Sequence, residues 1–148
     1  MNNEKVVEVL EKLIEVCRDG QNGFREAAEH VSDPELRSFF SEQSSERARF
    51  AEQLQGEVQR LGKPDPERKG RVAAALHRTW IDLKSALGGG DRSILEAVEQ
   101  GEDNAKKNYE EALKEDLPEP IKGMIRSQAQ GVIAAHDRVK LVRDRKAA

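Results

Sequence analysis

A single carboxylate, Glu102, interrupts an otherwise apolar face of the helix predicted over residues 91–116. At about 100° per residue, the apolar residues that share this face are Ile94, Leu95, Val98, Ala105, Tyr109, Ala112 and Leu113. In a helical bundle, a carboxylate at such a position could be a metal ligand, because hard cations prefer anionic oxygen atoms. It could also be one member of a buried polar layer that fixes how the helices pack. The chemistry depends on which residues face Glu102 from the other helices.

Polar side chains also interrupt the apolar faces of the other predicted long helices. They are Gln21 in the first helix, Gln43 and Arg47 in the second, and Gln128 in the last. Folding the chain back at the turns near Ser32 and Leu117 brings these side chains and Glu102 to similar heights along the bundle. The interruptions therefore predict a polar layer at the middle of the bundle.

An ion pair between Arg47 and Glu102 is the predicted centre of this layer. Arg47 needs a partner, because an unpaired charge in a protein core costs several kcal/mol, and Glu102 is the carboxylate at the matching height. Side-chain amides can donate and accept the remaining hydrogen bonds. The predicted layer consists of Gln21, Gln43, Arg47, Glu102 and Gln128.

The elements that would position these residues form an all-α fold. Of the 148 residues, 36% are charged and 4% are aromatic, a balance typical of solvated helices. Helical spacing of apolar residues predicts helices over about 3–31, 34–61, 71–87, 91–116 and 119–146. Short connections make the first two and the last two antiparallel hairpins. The prediction is one domain, residues 1–148: a ferritin-like antiparallel four-helix bundle, with a short extra helix in the long crossover between long helices 2 and 3.

Helix-start signals mark two of the junctions. The sequence Ser-Asp-Pro-Glu supplies a capping residue, a proline at the first helical position and a glutamate three places after the serine. This pattern predicts a capping box between Ser32 and Glu35. After three glycines, Asp91 is predicted to cap the helix that carries Glu102.

Small and aromatic residues give further packing signals. Gly20 and Gly23 lie inside the first helix, where glycine costs about 1 kcal/mol relative to alanine, and close packing is the favoured explanation. Trp80 is predicted to dock the crossover helix on the bundle, although with Ile81 on the opposite side it could also help to form a dimer contact. Cys17, the only cysteine, is predicted to be a small buried hydrophobic residue.

Composition and motifs exclude several functional classes. The net charge of −3 with mixed signs provides no basic surface for nucleic acid. No stretch approaches the roughly 18 apolar residues of a membrane span, and the N-terminus has no secretory pattern, so we expect a cytoplasmic protein. There is no glycine-rich phosphate loop, no nucleophile beside a histidine and no paired-cysteine motif. The residues therefore predict neither a cofactor nor an enzymatic activity.

Nearly the whole chain, from about Asn3 to Asp144, resembles a bacterial family of four-helix-bundle proteins that carry a domain of unknown function and are placed among the ferritin-like folds. The stretches that carry the resemblance are CRDGQNGFREAAEHVSDPELRSFF, ALHRTWIDLKSALGGGD, ILEAVEQGEDNAKKNYEEAL and DLPEPI. The wider ferritin-like class implies a dinuclear iron or manganese centre. Its ligands come from a glutamate on each of two helices and a Glu-x-x-His pair on each of the other two.

The chain departs from that ligand pattern at three places. Gln21 stands at the central position of the first helix, and Arg49 stands three residues after Glu46, where the pattern requires histidine. In the last helix, Ile133 stands three residues before His136, where the pattern requires glutamate. A set with one carboxylate, amides and a cation cannot offset the charge of two metal ions. We therefore predict a degenerate di-iron site replaced by the polar layer.

Two functional hypotheses follow from these residues. The first is a non-enzymatic ferritin-like bundle, either stress-linked or acting as a structural or interaction protein, which binds an unidentified protein partner or forms a homodimer. The alternative is a ferritin-like oxidase or metal store, in which iron or manganese is bound by Glu46, Glu99, Glu102 and His136.

Overall fold

Four long helices and one short helix make up the computed structural model, which describes residues 2–62 and 80–147. They are α1 (Asn3–His30), α2 (Pro34–Leu61), the short α3 (Ile81–Ala86), α4 (Asp91–Leu113) and α5 (Ile121–Ala147). The all-α class and the short helix in the long crossover are confirmed. The part of the predicted crossover helix that covers residues 71–79 lies outside the described residues.

The long helices pack pairwise. Helices α1 and α2 form one hairpin, α4 and α5 form the other, and α1 joins the two hairpins by packing along α4. A hydrogen bond of 2.8 Å from Ser44 Oγ to the carbonyl oxygen of Gln21 sets the register of the first hairpin. Residues 21 and 44 are thereby opposite each other, as expected for a chain that folds back near Ser32.

The two predicted helix caps differ in detail from those observed. Asp33, rather than Ser32, caps α2, because its side chain accepts a hydrogen bond of 2.9 Å from the backbone N–H of Glu35. The cap of α4 is Gly90, whose φ of 90° favours glycine. The carboxylate of Asp91 is therefore free to accept from the backbone N–H groups of Ser32 and Asp33, at 2.8 and 3.0 Å. Asp91 ties the turn between α1 and α2 to the start of α4.

The last junction also begins and ends differently from the prediction. Helix α4 ends at Leu113, and the backbone N–H groups of Lys114 and Glu115 bond three residues back, which tightens the chain into a turn. Leu117 then buries its side chain, with 4% exposed. Helix α5 begins at Ile121, directly after Pro120.

Two apolar cores occupy the two halves of the bundle. The core at the end where α1 begins includes Leu10, Leu13, Cys17, Leu54, Tyr109, Ile125 and Val132. The core at the other end includes Phe24, Phe39, Phe40, Leu83, Ile94, Leu95, Val98 and Val139. Arg47 and Glu102 are fully buried and belong to neither core. Along α2 and α4, Arg47 and Glu102 lie between the residues that belong to one core and those that belong to the other. The middle of the bundle is therefore polar.

Within residues 2–62 and 80–147, none of the helices combines the length and the apolar character that a membrane span requires.

Candidate functional site

The centre of the bundle is an ion pair between Arg47 of α2 and Glu102 of α4. Two parallel hydrogen bonds join them, Nη1 to Oε1 and Nη2 to Oε2, each 2.7 Å long. Neither side chain has any exposed surface. A bidentate arginine–carboxylate pair is among the stronger hydrogen-bonded arrangements in proteins. It can satisfy two buried charges that would otherwise be costly.

The surroundings of Arg47 keep its guanidinium charged. Burial alone lowers the pKa of Arg47, but the charge of Glu102 and the hydrogen bonds to it more than offset this effect, so the pKa lies above its ordinary value. The guanidinium carbon also lies 5.2 Å from the centre of the Phe24 ring, a distance at which a cation is attracted to an aromatic face. The pair is therefore a positive and a negative charge that cancel inside the protein.

Gly20 of α1 makes room for the guanidinium. A Cβ atom at position 20 would lie 3.0 Å from Nη1 of Arg47, closer than ordinary van der Waals contact. Glycine at position 20 therefore allows α1 to pack closely against Arg47. This agrees with the close packing that the sequence analysis favoured for Gly20.

Trp80 lies beside the centre, in a slot between α1 and α4. A Cβ atom at Gly23 would lie 2.3 Å from Cε3 of the indole, and one at Gly101 would lie 2.3 Å from Cε2. The Phe24 ring contacts the same indole in an edge-to-face arrangement, with ring centres 5.6 Å apart and an angle of 62° between the ring planes. Trp80 therefore docks the chain against α1 and α4. Its contact on α4 is Gly101, the residue that directly precedes Glu102.

A second buried polar chain crosses the bundle and touches all four long helices. Tyr109 of α4 donates from its hydroxyl to Oε1 of Gln128 on α5, at 2.8 Å. Because that bond uses the only phenolic proton, the thiol of Cys17 on α1 must be the donor in its 3.0 Å contact with the Tyr109 oxygen. Gln128 Nε2 in turn donates to Oε1 of Gln53 at 2.9 Å and to the carbonyl oxygen of Phe50 at 3.3 Å, both on α2.

Burial makes the thiol and the phenol of this chain weak acids. Burial raises the pKa of Cys17 to about 11, and the hydrogen bond with Tyr109 only partly offsets that rise. Burial likewise raises the pKa of Tyr109 well above its usual range. Both groups are protonated near neutral pH, so they act as hydrogen-bonding groups. Reactivity as a cysteine nucleophile requires the thiolate.

The structure brings together only part of the predicted polar layer. Arg47 and Glu102 are in contact, and Gln128 is buried but belongs to the chain through Tyr109. Gln21 is half-buried and accepts a hydrogen bond of 2.8 Å from Arg18. Gln43 is also half-buried, and within the described part of the chain its Oε1 atom has no donor. No hydrogen bond among the described residues joins these three glutamines to the ion pair, because matching heights along a bundle does not fix the direction in which a side chain points.

Sequence reasoning missed two contributors to the site. Tyr109 was predicted to be an apolar core residue, although it follows Glu102 by seven residues on the same helix face and carries a hydroxyl that needs a partner when buried. Gly101 was not singled out. A glycine directly before a buried carboxylate could have suggested that another group approaches α4 there.

Among the other alternative metal ligands, Glu99 and His136 pair with side chains away from Glu102. Glu99 pairs with Arg143, and His136 bonds to Asp103 at 2.5 Å and to Asp137 at 3.0 Å. Glu46 lies against the backbone of α5, where a Cβ atom at Gly131 would be 2.6 Å from its Oε1. In the part of the chain that the structure describes, no three histidine, cysteine, aspartate or glutamate side chains are grouped so that they could hold a metal ion.

The residues at the centre do not fit a dinuclear iron or manganese site. Both oxygen atoms of Glu102 accept hydrogen bonds from Arg47, so a metal ion would have to displace the guanidinium. The displaced cation would then be buried beside a second positive charge, which is unfavourable in a medium of low dielectric constant.

Comparison with known proteins adds one match. The family model described as Domain of unknown function (DUF2383) matches residues 5–115. This range contains Arg47, Glu102, Cys17 and Tyr109, whereas Gln128 of α5 lies beyond it. No curated protein matches the chain.

Proposed function

Because the chain belongs to the family described as Domain of unknown function (DUF2383), whose description names no reaction, we propose a function from the geometry of the bundle centre. The protein is a non-enzymatic bundle of the ferritin-like class that acts through structure and interaction. The ion pair between Arg47 and Glu102 takes the central position that metal ions occupy in that class. The buried polar groups hold the four helices in one arrangement, and the outer surface of the bundle makes the functional contacts.

The observation that carries this proposal is the bidentate contact of two fully buried, opposite charges. The charges cancel without any added ion. Removing either partner would leave the other charge buried and unpaired, which costs about 3–5 kcal/mol. A metal ion could enter only at a cost of that order, so the centre favours a closed bundle over a binding cavity.

The chain of hydrogen bonds through Tyr109 supports the same role. It links one residue of each long helix, and each group in it has a complementary donor or acceptor. A fully satisfied buried network specifies which helices are neighbours and at which height, since a shifted arrangement would leave polar groups without partners. These groups are well suited to fix structure and poorly suited to move protons at neutral pH.

Metal content tests the proposal. Protein purified from cells grown with added iron and manganese should contain far less than one of these ions per chain by elemental analysis, and should show no iron-dependent oxygen uptake. The matched variant is Glu102→Gln, which keeps the size of the side chain and removes its charge. Two ions per chain in the natural protein, lost in Glu102→Gln, would overturn the proposal and establish a metal site at the centre.

A further inference from the structure

A groove of about 290 Å³ lies at the end of the bundle where α2 begins and α5 ends. One side of it is acidic, with Asp33 and Glu35 at the start of α2. The other side is basic, with Arg138 and Arg145 near the end of α5. Leu36, Phe39 and Val142 form its apolar floor. The groove therefore presents both signs of charge across a narrow apolar strip.

The basic side is held in a defined position. The guanidinium of Arg138 lies 4.2 Å from the centre of the Phe39 ring, a cation–π distance. Arg145 is one full heptad further along α5, on nearly the same face. Glu35 and Arg145 line the same groove, yet no salt bridge joins them within the chain as described. Both charges are exposed and available to a partner.

Leu141 adds an apolar contact point beside the basic side. Its side chain is 58% exposed, and it is the large hydrophobic residue that the described part of the chain leaves exposed. At about 100° per residue, it lies roughly 60° around α5 from Arg138 and roughly 40° from Arg145. A single exposed leucine is ordinary. This one, however, is close around α5 to Arg138 and Arg145, which line the groove.

We propose that this groove and the adjoining face of α5 form the interface with a second copy of the same chain. A two-fold axis would place the acidic side of each copy against the basic side of the other. Glu35 of each copy would then pair with Arg145 of the other, which gives two symmetric salt bridges. Leu141 would pack across the axis. A partner of one charge sign would be repelled by one side of the groove, which is why the mixed charge favours a second copy. The inference rests on the proposed interaction role and names its partner.

Charge reversal tests this interface, with molecular mass measured by light scattering over a concentration series. The natural chain should show twice the mass of one chain. Glu35→Arg and Arg145→Glu should each be monomeric alone. In a dimer of either variant, two side chains of the same charge would face each other at both symmetric contacts. An equimolar mixture of the two variants should recover the dimer, since both charge pairs are then complementary.

Matched controls separate the interface from general effects of charge. Glu52→Arg and Arg126→Glu reverse exposed charges elsewhere on α2 and α5, and should remain dimeric. Leu141→Asn changes an exposed position and should also weaken the dimer. This variant keeps the interface testable if a charge reversal disturbs the folding of a helix end.

A monomeric natural chain at every concentration would overturn the inference, as would variants that stay dimeric or a mixture that stays monomeric. These outcomes differ from a failure of the proposed function. A metal-free monomer would overturn only the interface, whereas a dimer with two metal ions per chain would overturn only the proposed function.

Discussion

A Cβ atom at Gly101 would lie 2.3 Å from Cε2 of Trp80, so the indole rests directly on the backbone of α4. Gly23 does the same from α1, against the same six-membered ring of the indole. Neither position has space for a methyl group unless the indole moves. The two glycines therefore determine where the crossover docks, immediately beside the buried ion pair.

Replacing Gly101 with alanine should displace Trp80. Real Cβ atoms do not approach other atoms to 2.3 Å, and forced overpacking costs about 1–3 kcal/mol. Trp80 is the only tryptophan, so fluorescence reports on it alone. The emission of Gly101→Ala should shift to longer wavelength as the indole becomes more exposed to solvent. The variant should also unfold at a lower urea concentration.

The matched control is Gly56→Ala on α2, where a Cβ atom meets nothing within 4 Å. Alanine should stabilise the helix there by about 0.5–1 kcal/mol and leave the emission unchanged. If Gly101→Ala behaved like Gly56→Ala, the indole would not occupy the slot between α1 and α4.

Replacing Tyr109 with phenylalanine should destabilise the protein through its polar partners. The change keeps the ring and removes the hydroxyl that donates to Gln128 and accepts from Cys17. Leaving buried polar atoms without partners costs about 1–3 kcal/mol, which urea unfolding would measure. A second variant, Tyr109→Phe with Gln128→Met, should recover part of the loss, and equal stability of Tyr109→Phe and the natural protein would refute the network.

The Cys17 thiol should be unreactive in the folded protein. Burial raises its pKa to about 11, so at about pH 8 only about one thiol in a thousand would be ionised even with free access. Alkylation by iodoacetamide, followed by mass spectrometry, should be slow in buffer and fast in concentrated urea. Rapid alkylation of the folded chain would show that the thiol is exposed or ionised.

His136 should make stability depend on pH. Burial of the ring lowers the pKa of His136, but hydrogen bonds to Asp137 and Asp103 outweigh burial and raise it above its ordinary value of 6.5. A raised pKa in the folded state means that the stabilisation is fully present below about pH 6.5 and is lost as pH rises through the folded value. The difference in unfolding free energy between the natural protein and His136→Gln should therefore be larger at about pH 5.5 than at about pH 8.5. A difference that grew with pH would mean that the neutral ring is the form the fold favours.

Helical periodicity and the turn signals were sufficient to predict the architecture. The apolar faces are long, and prolines and glycines mark the junctions, so the all-α class and the order of the helices follow from local signals. The C-terminal end of α4 was harder to predict from the sequence. Leu113 ends the helix because the chain must then turn to bury Leu117, and that requirement is tertiary.

Side-chain partners within the layer were harder to predict. Counting residues from each turn gives the height of a side chain along the bundle, and by that count Arg47 and Glu102 are level. The same count placed Gln21 in the layer, whereas its amide accepts from Arg18 at the half-buried surface. The direction of a side chain around the helix axis depends on how the helices rotate against one another, and the sequence pattern constrains that rotation only loosely.

A double-mutant cycle on Arg47 and Glu102 tests most directly whether the two charges neutralise each other in the core. Arg47→Met and Glu102→Leu should each lower the free energy of unfolding by about 3–5 kcal/mol, because each leaves one buried charge without a partner. The double variant leaves no charge and should be far more stable than the sum of the two losses implies, close to the natural protein. Losses that simply add would contradict the ion pair and, with it, the proposal that the bundle centre needs no metal ion.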